Sequence, residues 1–227
     1  MLALFIYGRI NTLYYSKRRA LVDISAVTHQ TYNKGELTQL LDIARDAIRG
    51  HFSEKAISTS APNLDHYNRK MLQSAACFVT LEVNGQLQGC IGSTIATKPL
   101  ILEMHNKAIG SAYEDRRFMP LAEDQLDDLS IEVEVLSPLV IQPFSTEAEL
   151  FEYLSHHKQG VQLTDRHVQT VVLPSAWRRG LSTLQFIQLL KQKAGWSANY
   201  WSDTMVIKTF TTCALKENFN TIRGKYF

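Results

Sequence analysis

Asn84-Gly85 constrains this chain more than any other feature. It stands between two runs, 75–83 and 86–92, that read as strands. An Asn-Gly step in that setting is the strongest short-range hairpin signal, because both residues accept the positive φ of a tight two-residue turn. The register expected from such a turn pairs Val83 with Gln86, Leu81 with Gln88, Val79 with Cys90 and Cys77 with Gly92. Alternation then places Cys77, Val79, Leu81, Gln88 and Cys90 on one face, and Phe78, Thr80, Leu87 and Ile91 on the other. On this register Cys77 and Cys90 lie diagonally, roughly 7 Å or more apart, and both are expected to be free thiols. The second arm, Leu87-Gln88-Gly89-Cys90-Ile91-Gly92, holds a cysteine between glycines. Glycine weakens a strand interior, and there it marks a bulge or a close approach of backbone or ligand.

Around the hairpin the helices are legible by period. Leu37, Leu40, Leu41, Ala44, Ala47 and Ile48 recur at helical spacing and predict a helix over 34–52. Residues 58–62 read as a Ser/Thr/Pro loop. Thr97, as cap, and Pro99, in the first turn, open a helix whose apolar face is Leu100, Ile101, Met104, Ala108 and Ala112. A charged turn (113–120) and a short acidic segment (121–129) follow. The strictly alternating run 131–136 reads as a half-buried strand. Residues 147–156 read as a helix, and 160–163 with 169–173 as a second hairpin. Pro174 opens a short helical segment, 182–194 is a longer helix capped by Gly195, and 204–210 is a last strand. The tail from 211 reads as mixed and helical. Strands arrive in hairpins instead of strict β-α-β alternation, so the fold class is α+β: a two-lobed single domain of antiparallel or mixed sheet hairpins packed with helices. The expected organisation is an N-terminal extension (1–30), a main domain (31–212) and a C-terminal tail (213–227).

Composition excludes several function classes. A net charge of +2 over 227 residues leaves no basic footprint, so nucleic acid is a partner that charge does not support. The three cysteines, Cys77, Cys90 and Cys213, make neither a disulfide framework nor a zinc-site spacing. A reducing, cytoplasmic setting is expected, with no cofactor and no metal. The apolar start, 1–7, is far shorter than the roughly 20 residues of a membrane span. Its basic residues follow the apolar run, where a signal peptide carries its charge before it. Neither an anchor nor an export signal is therefore expected, and 1–30 should add little to the core.

The hexapeptide 87–92 resembles the Leu-Arg-Gly-Cys-Ile-Gly signature of the AMMECR domain family, whose prokaryotic members are called AmmeMemoRadiSam system protein A. Lys98-Pro99-Leu100, Asp115-Arg116-Arg117-Phe118, 131–136, Gly160-Val161, 170–177 and 190–195 resemble successive segments of that family, so the similarity covers about 35–210. The resemblance implies a two-lobed α+β fold and association with radical-SAM and Memo-like proteins. It names no reaction, although RNA modification has been suggested for the family. Gln88 stands where the family has arginine and supplies hydrogen bonds without the charge.

Gln88, Gly89, Cys90, Gly92, Arg116 and Arg117 are the ligand-binding candidates, and Cys90 is the catalytic candidate. Cys90 is a nucleophile, a packed hydrophobe, or part of a binding cleft. The glycines open a backbone cleft or fit a tight strand crossing. Arg116 and Arg117 hold an anion or pair with Glu114, Asp115 or Glu132. Glu132 and Glu134 share a strand face, either as an acid–base pair or, the favoured reading, as the solvent side of a sheet. His105 is expected in solvent, and Trp196, Tyr200 and Trp201 in packing. Two functions follow. One is an accessory or binding component of a radical-SAM/Memo-linked system that uses a cleft around Cys90. The other is a cysteine-dependent enzyme, for example an RNA-modifying one. A catalytic thiolate wants a neighbouring cation or helix N-terminus, and the hexapeptide offers none, which favours the first.

Overall fold

A computed structural model describes residues 31–52 and 61–221. The expected N-terminal extension (1–30), residues 58–60 of the Ser/Thr/Pro loop and the end of the tail (222–227) lie outside the described residues. Helix α1 (Lys34–Gly50) begins at a capping box, in which Asn33 accepts from the Glu36 amide and the Glu36 carboxylate accepts from that of Asn33. Its apolar stripe meets α2 (Leu100–Ile109), and both cover one face of a four-stranded sheet. That sheet runs β2-β1-β3-β8, made of β1 (Cys77–Val83), β2 (Gln86–Gly92), β3 (Leu129–Leu136) and β8 (Thr212–Asn218). The tail therefore carries a strand paired along β3, and not the helix expected there.

The second lobe is a sheet of order β4-β7-β5-β6. Its strands are β4 (Val140–Gln142), β5 (Gly160–Asp165), β6 (Val168–Val172) and β7 (Val206–Phe210). Helices α3 (Glu147–His156) and α4 (Thr183–Lys193) pack on it through Leu150, Leu154, Phe186, Ile187 and Leu190. Trp196, Tyr200 and Trp201 pack against this second core, as expected. All strand pairings are antiparallel. The architecture is thus α+β, and both lobes belong to one compact unit.

The chain crosses between the lobes at two adjacent points. The Ser137 amide donates to the Thr211 carbonyl (2.9 Å), and the Thr211 amide donates to Ser137 Oγ (3.0 Å). Beside this crossing a third apolar cluster joins Ala76, Phe78 and Leu136 of the first lobe to Leu173 and Phe210 of the second. One end of the outer face of the first sheet is therefore covered by the second lobe. Every residue from Ile131 to Leu136 is buried, which corrects the half-buried strand expected from its alternation.

The hairpin register also differs from expectation. Asn84 (φ 52°) and Gly85 (φ 74°) form the two-residue turn, and Val83 faces Gln86. The register then shifts between Leu81 and Glu82, so that Leu81 faces Gly89, Thr80 faces Cys90 and Phe78 faces Gly92. Gln88 is the extra residue of a β-bulge. Cys90 consequently leaves the face of Cys77 and Val79 and joins that of Phe78 and Thr80. All three cysteines are free.

Candidate functional site

Across the first sheet the register aligns Cys90, Thr80, Glu132 and Lys216 in one row, with Gly92, Phe78, Glu134 and Ala214 beside it. Phe78 belongs to the seam between the lobes, and Cys90 packs against the same cluster. The Thr80 hydroxyl lies 3.2 Å from Cys90 Sγ and donates to it. Burial pushes the Cys90 thiol above its ordinary range, and the Thr80 hydrogen bond opposes that only in part. A thiol in this setting stays protonated at neutral pH.

The space beside the two glycines is occupied. A Cβ on Gly89 would stand 1.9 Å from the Ser111 carbonyl oxygen, and one on Gly92 would stand 2.2 Å from the Phe78 ring. Ser111 lies in the π-helical turn Gly110–Glu114 that extends α2. Its hydroxyl donates to the Val79 carbonyl (2.8 Å) and accepts from the Ile91 amide (2.9 Å). Both glycines thus permit tight packing of strand on turn and of strand on ring.

Asp115 and Arg117 close the free edge of β2. The Cys90 amide donates to Asp115 Oδ2 (2.9 Å), and Arg117 Nη2 donates to the Cys90 carbonyl (3.1 Å). The two side chains are joined by a forked pair at 2.9 and 2.6 Å. The Arg117 hydrogen bond holds the Asp115 carboxyl well below the usual range, at about 2. Arg117 is therefore committed to the strand, while Arg116 is exposed. Gln88 reaches the Met119 carbonyl (2.7 Å).

An open feature lies beyond Thr80, between the lobes. A cleft of about 360 Å³ is lined by Glu82, Leu87, Glu132, Ser175, Arg178, Arg179 and Lys216, with Gly85 at one end. Its far wall is the 3-10 turn Pro174–Arg179 of the second lobe. That single turn bonds three carboxylates of the first sheet. Ser175 Oγ donates to Glu134 Oε2 (2.8 Å), Arg178 pairs with Glu132, and Arg179 Nη2 lies 3.5 Å from Glu82 Oε1. Lys216 of β8 reaches across β3 to pair with Glu82 of β1, and Thr212 donates to Glu134 Oε1 (3.2 Å). Burial, reinforced by the charge of Glu132, pushes the Glu134 carboxyl up to about 7. Glu132 and Glu134 are buried, which overturns the solvent-face reading of this pair. His105 is likewise buried, with Nδ1 3.5 Å from Asn106 Oδ1. Thr97 donates to Glu103 Oε1 (3.1 Å) instead of capping α2, whose cap position is Pro99.

Sequence reasoning passed over Glu82, Ser175, Arg178, Arg179 and Lys216. A signal for the arginines was present, because no Asp or Glu stands between Asp165 and Asp203. Cations in such a stretch must find their partners far away in the chain. Among the described residues no group of three His, Cys, Asp or Glu side chains is arranged for a metal ion, and no helix is long and apolar enough to cross a membrane.

The AMMECR1 family model matches residues 41–215, well over half of the chain. This chain belongs to the AMMECR1 family. A Thermotoga maritima protein is 34% identical over 148 residues, which cover 60% of this chain and 75% of that one. A Methanothermobacter thermautotrophicus protein is 34% identical over 169 residues, covering 73% and 78%. The crystal structure of the uncharacterized protein PH0010 from Pyrococcus horikoshii superposes with a TM-score of 0.71 at 24% identity, over 79% of this chain and 90% of that one. Its likeness is one of fold. The matched segment contains the hexapeptide, the Asp115–Arg117 clasp and the turn that walls the cleft, and it reaches into β8.

Proposed function

We propose that this AMMECR1-family chain is a binding component of a radical-SAM/Memo-linked system, and that it binds through the cleft between its lobes. The observation that carries this reading is the open, polar cleft whose side chains come from both lobes. Cys90 is not in its lining: it lies two strands from Glu132, with Thr80 between them. The partners follow from the family resemblance alone. The alternative, a cysteine-dependent enzyme that modifies RNA or another substrate, needs a thiolate, and the burial of Cys90 works against one.

Capture of the candidate radical-SAM and Memo-like proteins on the immobilised chain tests the reading. Wild type should retain at least one of them, and Arg179→Trp, which fills the cleft from its exposed wall, should lose that partner while keeping its circular-dichroism spectrum and melting temperature within a few degrees. Equal capture by both chains would take the cleft out of the function.

A further inference from the structure

The charges of the interlobe cleft are sorted by depth. The carboxylates are at the bottom, with the side chains of Glu132 and Glu82 only 8% and 14% exposed. The cations stand at the mouth, where Arg178, Arg179 and Lys216 are 57%, 56% and 43% exposed. An arriving molecule therefore meets positive charge first. Each guanidinium carries five N–H donors and the ammonium three, more than the contacts to Glu82 and Glu132 use. The close Arg178–Glu132 and Lys216–Glu82 pairs also orient two of the cations, which lowers the ordering cost that flexible side chains normally impose on binding. Below the cations, carboxylate oxygens and the Ser175 hydroxyl offer hydrogen-bond acceptors, and Leu87 offers an apolar wall. An oriented guanidinium fork suits the tetrahedral oxygens of a phosphate.

Resting on the reading of this cleft as a binding site, we propose that it takes a small phosphorylated polyol. The phosphate is held at the mouth by Arg178, Arg179 and Lys216, and the hydroxyls donate to Glu82 and Glu132 on the floor. An acidic floor rejects a ligand that is anionic throughout and rewards one that is anionic at one end and rich in hydroxyl donors at the other. The volume of about 360 Å³ suits a molecule of sugar-phosphate size.

Isothermal titration calorimetry with ribose 5-phosphate, ribose and inorganic phosphate tests this on the full chain. Ribose 5-phosphate should bind, inorganic phosphate should bind about tenfold or more weakly, and ribose should give no heat; one lost hydrogen-bonded contact of about 1.4 kcal/mol is worth a factor of about ten. Arg178→Ala should weaken ribose 5-phosphate about tenfold or more. Arg178→Lys, which keeps the charge without the fork, should fall between. Glu132→Gln should weaken ribose 5-phosphate and leave inorganic phosphate unchanged or tighter. No binding of ribose 5-phosphate, or binding indifferent to Arg178→Ala and Arg178→Lys, overturns the proposal. Loss of partner capture in Arg179→Trp without any phosphate binding by wild type would overturn this ligand class alone and leave the binding-component reading standing.

Discussion

Gly89 carries no side chain because the Ser111 carbonyl stands where one would be, 1.9 Å from an added Cβ. Gly85 is a glycine for a different reason, since it holds φ at 74° with open space around it. The two substitutions should therefore separate. Gly85→Ala pays only the positive-φ strain, about 1 kcal/mol. Gly89→Ala must push the π-helical turn off the strand, at a cost of about 3 kcal/mol or more. Urea unfolding midpoints read the difference, and equal losses would contradict the close approach. Cys90, between these glycines and the seam, should alkylate as a sluggish thiol. Its rate should rise with pH to a midpoint above the ordinary thiol value of about 8.5, because burial disfavours the thiolate. An alkylation midpoint below 7 would transfer the function to a cysteine enzyme.

Strand β2 is held on one side by β1 and on the other by side chains in place of a strand. Asp115 takes the Cys90 amide and Arg117 gives to its carbonyl. Asp115→Asn keeps the shape but loses the charge, and should cost about 2 kcal/mol, the scale of a charge-assisted hydrogen bond. The sign with pH follows from the lowered carboxyl. Its stabilisation is present above the ordinary carboxylate range and is lost as pH falls through about 2. The variant should therefore lose less stability than wild type between pH 4 and pH 2 (approximate bounds of that window), as thermal melts would show. At this scale the sequence was legible wherever period and turn chemistry decide. Helix 147–156, the Asn84-Gly85 turn and the Gly195 cap, with φ at 72°, all stand where the pattern places them. The register failed because a bulge adds a residue without altering the turn, and Gly89 marks a bulge or a close approach without saying that Gln88 is an extra residue. Strand β8 was missed because its pairing with β3 joins segments some eighty residues apart, and tertiary pairing outranks weak local preference.

Glu132 and Glu134 show why the candidate site was only half legible. Alternating glutamates in a strand read as a solvent face, and nothing near them in the chain announces the turn Pro174–Arg179 that covers them. The hexapeptide was visible as a local oddity, but the cleft needs both lobes and so exists only in the folded molecule. The same covering makes lobe docking sensitive to pH. The Glu134 carboxyl has a pKa of about 7 in the fold, against an ordinary value of 4.5. Below the ordinary value both folded and unfolded chains are protonated there, so the group has no effect on stability. Between the two values the unfolded chain releases its proton first, the folded state binds more protons, and stability falls as pH rises. Above about 7 the penalty is complete and the slope ends. Glu134→Gln removes the titration while its amide oxygen still accepts from Ser175 or Thr212. Its melting temperature should therefore hold steady from pH 5 to pH 8 (approximate bounds) where wild type declines, apart from the background both share. The variant should overtake wild type on the alkaline side. Parallel curves would mean that Glu134 is ionised at neutral pH, with Ser175 and Thr212 satisfying a full carboxylate at the seam between the lobes.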